Sequence, residues 1–155
     1  MKKQLTISYE EYASAEELQA ADRQLLEQAI AAADGAYAPY SGFRVGAAVR
    51  LDDGQTVCGN NQENAAYPSG LCAERTALFA ASAQHPGAGV DAIAVVGRNQ
   101  KGHLCAASPC GACRQVMSEY EGRQGHPMRV VCLLDGGAVR VVESAAHLLP
   151  LAFEM

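Results

Sequence analysis

Cys72-Ala73-Glu74-Arg75 and Pro109-Cys110-Gly111-Ala112-Cys113 each lead into a run of helix formers. After Cys72 come Ala73, Ala77, Leu78, Ala80 and Ala81, ending before His85-Pro86-Gly87, and Ala112 to Glu121 carries Val116, Met117 and Tyr120 on an apolar side. Both stretches read as helix N-termini. Cys110 and Cys113 are three apart, so a helical first turn places both sulfurs on one side, and Cys72 must arrive from another helix. Two helix N-termini then point at one ion, which lowers thiol pKa values and stabilises negative charge.

Three thiolates leave a tetrahedral zinc one vacant position, the mark of a catalytic rather than a structural site. Cys105 is the nearest candidate for a fourth ligand, and its inclusion would close the site but leave Glu74 without a role. Two residues after Cys72, Glu74 can lie beside the vacant position without being a ligand. It then serves as the proton-transfer partner of a zinc-activated water, because an amine leaves an aromatic ring only once protonated. Three thiolates carry more negative charge than a divalent ion cancels, and Arg75 is the cation placed to donate hydrogen bonds to a thiolate.

Composition narrows the setting. The chain of 155 residues fits one domain, 1–155, in which about 68–70% of the unfolded surface would be buried. No apolar run approaches the roughly 20 residues needed to cross a bilayer, so no membrane association is expected. A net charge of −5, without basic runs interleaved with aromatics, argues against nucleic acid as a partner and is compatible with a small neutral substrate. Six cysteines could form three disulfides in a secreted chain. Met1-Lys2-Lys3-Gln4-Leu5-Thr6-Ile7-Ser8 lacks a long apolar segment, and two of the cysteines form a Cys-x-x-Cys pair, so the reading is a metal and a cytoplasmic location.

Along the chain, Ser14-Ala15-Glu16-Glu17 has the pattern of a capping box and predicts a helix start, with Leu18, Leu25, Leu26, Ala29, Ile30 and Ala33 at helical spacing and a break near Ala20-Ala21-Asp22. Phe43 to Leu51 and Thr56 to Gly59 flank Asp52-Asp53-Gly54 as a hairpin, and Asn60 to Gly70 is a loop. Asp91 to Gly97 is a buried-type strand, Arg129 to Leu134 and Val139 to Val142 form a second hairpin, and a short helix around Ser144 to Leu149 closes the chain. The alternation predicts an α/β fold, a three-layer α/β/α domain with a mixed five-stranded sheet, in which strands joined through helices run parallel and the two hairpins do not.

The motifs together resemble the zinc-dependent, homotetrameric type of cytidine deaminase, over about Tyr37 to Phe153. The resemblance rests on Tyr37 to Ala48, Asn61 to Tyr67, Cys72 to Ala77, Pro109 to Gln115 and Leu148 to Phe153, five motifs in the family's order. It implies hydrolysis of cytidine and 2′-deoxycytidine to uridine and 2′-deoxyuridine with release of ammonia, a pyrimidine-salvage reaction, using one Zn2+ per subunit. By the same resemblance Cys72, Cys110 and Cys113 hold the metal and Glu74 protonates N3 and then the departing amine. The Ala73 N–H holds the base carbonyl, Asn61 and Glu63 hydrogen-bond the ribose, and Phe43 packs against the base. Tyr67 and Phe153 match positions that reach into a neighbouring subunit's site.

Residues 1–20 look like an N-terminal extension with no counterpart in the shortest members. Cys58, Cys105 and Cys132 fall outside the ligand motif and read as small apolar fillers. Rival readings are a deaminase of a cytosine nucleoside antibiotic such as blasticidin S, a non-enzymatic zinc-binding protein on the same fold, and an editing enzyme acting on nucleic acid. The absence of a His-x-Glu form of the signature disfavours the last.

Overall fold

The computed structural model describes residues 1–155. Its elements are β1 (Glu10–Tyr12), α1 (Ala20–Ala33), β2 (Arg44–Leu51), β3 (Thr56–Asn60), α2 (Ala73–Gln84), β4 (Val90–Arg98), β5 (Leu104–Cys105), α3 (Gly111–Gln124), β6 (Arg129–Leu133) and β7 (Val139–Val142). The sheet runs β1-β7-β6-β4-β2-β3, with β5 paired to one end of β4. Only β4 and β6, joined through α3, pair in parallel; the hairpins β2–β3 and β6–β7 are antiparallel, as expected.

Seven strands replace the five read from the sequence. The two additions are β1 and β5, three and two residues long, too short to show a period-2 pattern; their strand character comes from the edge they lie against.

Side-chain alternation sends the two faces of the central strands into separate apolar layers. Ala47, Val49 and Leu51 of β2, Ile93 and Val95 of β4, and Val130 and Cys132 of β6 pack with residues of α2 and α3. Their neighbours Ala48, Ala92, Ala94, Val96, Val131 and Leu133 pack with Leu25, Leu26, Ala29 and Ala33 of α1. This is the three-layer arrangement expected, and burial on both faces explains why β4 carries a nearly continuous apolar run.

Ser14-Ala15-Glu16-Glu17 does not start α1. It forms one 3-10 turn, Ala15–Glu17, whose Ser14 side chain makes no capping bond while Glu17 accepts from the Ala13 N–H at 3.3 Å. Leu18 and Gln19 are extended, which lets Leu18 enter the α1-side core before the helix begins at Ala20. The closing helix is likewise a 3-10 turn, Ala145–Leu148.

Glycine sets how closely the site-bearing helix approaches the sheet. A Cβ on Gly59 of β3 would stand 2.5 Å from the Ala77 nitrogen and 2.8 Å from the Ala73 oxygen, both in the backbone of α2. The first turn of α2, with Glu74, therefore lies directly on the sheet. Gly59→Ala is expected to lower unfolding stability by about 1–3 kcal/mol, the usual cost of overpacking. A urea titration measures it, and an unchanged midpoint would show that α2 yields freely.

Candidate functional site

Cys72 and Cys110 are the N-cap residues of α2 and α3, and neither side chain makes a capping hydrogen bond. Cys113 is the third residue of α3 and fully buried. The three sulfurs lie within 4.8 Å of one another, with Cys72 to Cys110 at 3.8 Å and Cys110 to Cys113 at 3.6 Å. Zinc–sulfur bonds of about 2.3 Å in a tetrahedron put sulfurs about 3.8 Å apart, so the donor set fits zinc in size as well as in chemistry. Cys105 lies on β5 paired with β4, outside the cluster, which leaves three protein ligands and an open fourth position.

Arg75 Nη2 donates to the Cys72 sulfur at 3.2 Å, the contact expected of a cation offsetting thiolate charge. A hydrogen bond from Cys113, then Arg75, brings the Cys72 thiol down to about 5, while Cys113, as donor to that thiolate, is pushed up.

Glu74 is 4% exposed. Burial raises its carboxyl above the ordinary range, the Cys72 thiolate raises it further, and Arg75 opposes both. A carboxyl whose charged form is penalised in this way takes up and returns a proton near neutral pH more readily than an exposed one.

A cavity of about 790 Å³ reaches this cluster at Cys72 and Arg75. Its walls include Tyr40, Ser41, Asn61, Glu63 and Tyr67. Gln62 exchanges backbone hydrogen bonds with Leu71, the Glu63 N–H donates to the Tyr37 carbonyl, and the Tyr37 N–H donates to the Asn61 carbonyl, which fixes this wall to the segment entering α2.

Asn61 and Glu63 stand in the wall with part of their capacity already used. Asn61 accepts from the Val45 N–H at 2.7 Å and donates to the Phe43 carbonyl at 2.9 Å. Glu63 accepts from the Tyr40 N–H at 2.8 Å and from the Ser41 N–H and hydroxyl; the Ser41 hydroxyl, then the Tyr40 and Ser41 N–H groups, hold its carboxyl below the usual range. Both keep acceptor capacity for a ligand hydroxyl.

Phe43 is not in the cavity wall. Its ring edge lies over Gly97, where a Cβ would come within 2.9 Å of it. Phe153 is also outside the wall and 71% exposed, with its carbonyl accepting from Gln115 Nε2 at 3.2 Å. Tyr67 is in the wall and 90% exposed. Ala73 is fully buried as the first residue of α2, where N–H groups lack intrahelical partners.

Two contributors escaped the sequence reading. Ser41 falls within the Tyr37 to Ala48 motif without a role of its own, yet it joins Glu63 to the loop before β2. Arg114 donates from Nε to the Pro109 carbonyl at 2.8 Å and from Nη1 to the Leu148 carbonyl at 3.0 Å, bracing the turn that delivers Cys110. Its position next to Cys113 was the available signal, but a partner as distant in the chain as Leu148 leaves no local trace.

Residues 19–127 match the family described as the cytidine and deoxycytidylate deaminase zinc-binding region. The chain is 52% identical over 99 residues to a cytidine deaminase of Halalkalibacterium halodurans, covering 63% of this chain and 71% of that one. It is 45% identical over 104 residues to a cytidine deaminase of Mycobacterium tuberculosis, covering 65% and 74%. Among solved structures, a cytidine deaminase from Burkholderia pseudomallei superposes with a TM-score of 0.72 at 49% identity, over 84% of this chain and 97% of that one.

Proposed function

The chain belongs to the zinc-binding cytidine and deoxycytidylate deaminase family, and we propose that it hydrolyses cytidine and 2′-deoxycytidine to uridine and 2′-deoxyuridine, releasing ammonia. The observation that carries this reading is the buried Glu74 carboxyl beside three thiols with an open fourth position. Cys72, Cys110 and Cys113 would hold the zinc, which when bound would supply Lewis-acid activation of water near neutral pH. Glu74 takes the proton from the attacking water and places it on N3 as the C4–O bond forms. Glu74 then takes the remaining proton from the new C4 hydroxyl and delivers it to the amine; the C4–N4 bond breaks as the C4 oxygen becomes a carbonyl, and ammonia leaves. Arg75 keeps the sulfur environment from becoming too negative, and the Ala73 N–H, at the positive end of α2, accommodates the base carbonyl.

Asn61 and Glu63 receive the sugar hydroxyls from the cavity wall. The wall carries one cation, Arg75, already committed to Cys72, and one carboxylate, Glu63. A 5′-phosphate would meet the carboxylate and no free cation, which favours nucleoside over nucleotide. Tyr67 and Phe153, two large apolar side chains left in solvent, support a homotetramer in which neighbouring subunits complete each site. No helix is long and apolar enough to cross a membrane. Six unpaired cysteines, three of them needed as thiolates, support a cytoplasmic location.

A substrate panel on zinc-loaded protein tests the assignment. Cytidine and 2′-deoxycytidine are expected to turn over with kcat/KM at least about a hundredfold above deoxycytidine 5′-monophosphate, because a charge left unpaired in a site costs several kcal/mol. Faster turnover of the monophosphate, or of blasticidin S alone, would sink it.

A further inference from the structure

Residues 5–12, Leu-Thr-Ile-Ser-Tyr-Glu-Glu-Tyr, alternate apolar and polar side chains up to Glu10, the period of a half-buried strand. Only Glu10, Glu11 and Tyr12 use it, pairing with Val141, Arg140 and Val139. β1 ends the sheet, so its outer edge is free, and Leu5, Ile7 and Tyr9 are exposed. The face is defined at its inner end. Tyr12 turns toward the α1-side core, whereas Glu11 pairs with Arg140 at 2.6 Å and Tyr9 lies under the same guanidinium at 5.0 Å. Continued outward, the strand puts Leu5 and Ile7 on the side of Tyr9 and Glu11.

We propose that residues 3–11 are an interaction edge for a second copy of this chain, pairing antiparallel with the same segment across a two-fold axis at Ile7. The register follows from the residues. Ile7 opposite Ile7 places Leu5 opposite Tyr9 and Lys3 opposite Glu11, all on one face, so apolar meets apolar and cation meets carboxylate. A shift by one residue sets apolar side chains against polar ones. A parallel arrangement sets lysines on lysines and glutamates on glutamates, which is destabilising. Lys3 then completes a chain of charges with the partner's Glu11 and the partner's Arg140. A lone two-stranded ribbon is marginal in water, but this one is anchored at both ends in the sheets of the two copies. Self-pairing also removes the open edge that an unprotected strand leaves to other chains. Such pairing lies away from the cavity and would join assemblies of the kind proposed above into larger ones.

Sedimentation velocity of the full zinc-loaded chain across a dilution series, with Ile7→Lys beside it, tests the proposal. The substitution sets two ammonium groups face to face on the axis. The largest species is expected to fall to the mass of one such assembly, with deamination per subunit unchanged; equal masses for the two proteins overturn the proposal. Under mild oxidation Ile7→Cys is expected to give a reducible two-chain product, while Thr6→Cys, on the other face, gives no more than the unmodified protein with its native thiols. Equal cross-linking at both positions, or at neither, also overturns it. A deaminase reading that failed would show in the activity assay and leave these masses unaffected.

Discussion

Glu74→Gln is expected to cut kcat/KM for cytidine by about 10³–10⁴-fold while zinc content and native mass stay unchanged. That lies at the upper end of what general acid–base catalysis supplies, because one carboxyl serves both N3 and the departing amine. At about 1.4 kcal/mol per decade the loss corresponds to roughly 4–6 kcal/mol of transition-state stabilisation. Gln has the same shape and can still hydrogen-bond, so it keeps the packing of a side chain that is 4% exposed at the first turn of α2. What it lacks is a proton that comes and goes. Steady-state kinetics with metal analysis reads both quantities, and retention of more than about a tenth of the activity would remove Glu74 from its assigned role.

Cys113→Ser is expected to bring zinc per subunit close to zero and deamination to background, with the fold retained. The residue is buried on α3 at 3.6 Å from Cys110, and serine offers a poorly acidic hydroxyl in place of a thiolate. The two apolar layers, one against α1 and one against α2 and α3, are built from side chains other than the metal ligands apart from the region around Ala73 and Ala107. Zinc loss should therefore reduce thermal stability without unfolding the chain, unlike a small zinc finger whose folding energy is its metal. Metal analysis, circular dichroism and an activity assay together check this. Cys105→Ser is the control: unchanged zinc and activity are expected, and loss of zinc from that variant would mean a closed four-cysteine site and a structural metal.

The cluster of three thiols was legible because its cysteines occupy positions with local rules. Helix N-caps follow turn residues and precede helix formers, so Cys72 and Cys110 could be placed at two N-termini, and the spacing to Cys113 followed from one helical turn. The substrate wall was less legible. Asn61 and Glu63 looked like loop residues, and their value depends on Val45, Phe43, Tyr40 and Ser41, which lie before and at the start of β2, on the far side of the β2–β3 hairpin in the chain. Phe43 matches a base-packing position, yet its ring rests on Gly97, a contact between strands that no local pattern announces. Ser14 failed as a helix cap for a similar reason: burying Leu18 required extended backbone where the local motif favoured a helix.

By itself the sequence determined the three-thiol cluster and the layer architecture, since cysteine spacing, helix caps and the periods 3.6 and 2 are properties of short stretches. Tertiary structure alone decided the number of strands, the docking of the N-terminal segment, and the pairing of Glu63 with Ser41. Each of these is fixed by a partner distant in the chain or by burial, and neither is encoded in the residues on either side.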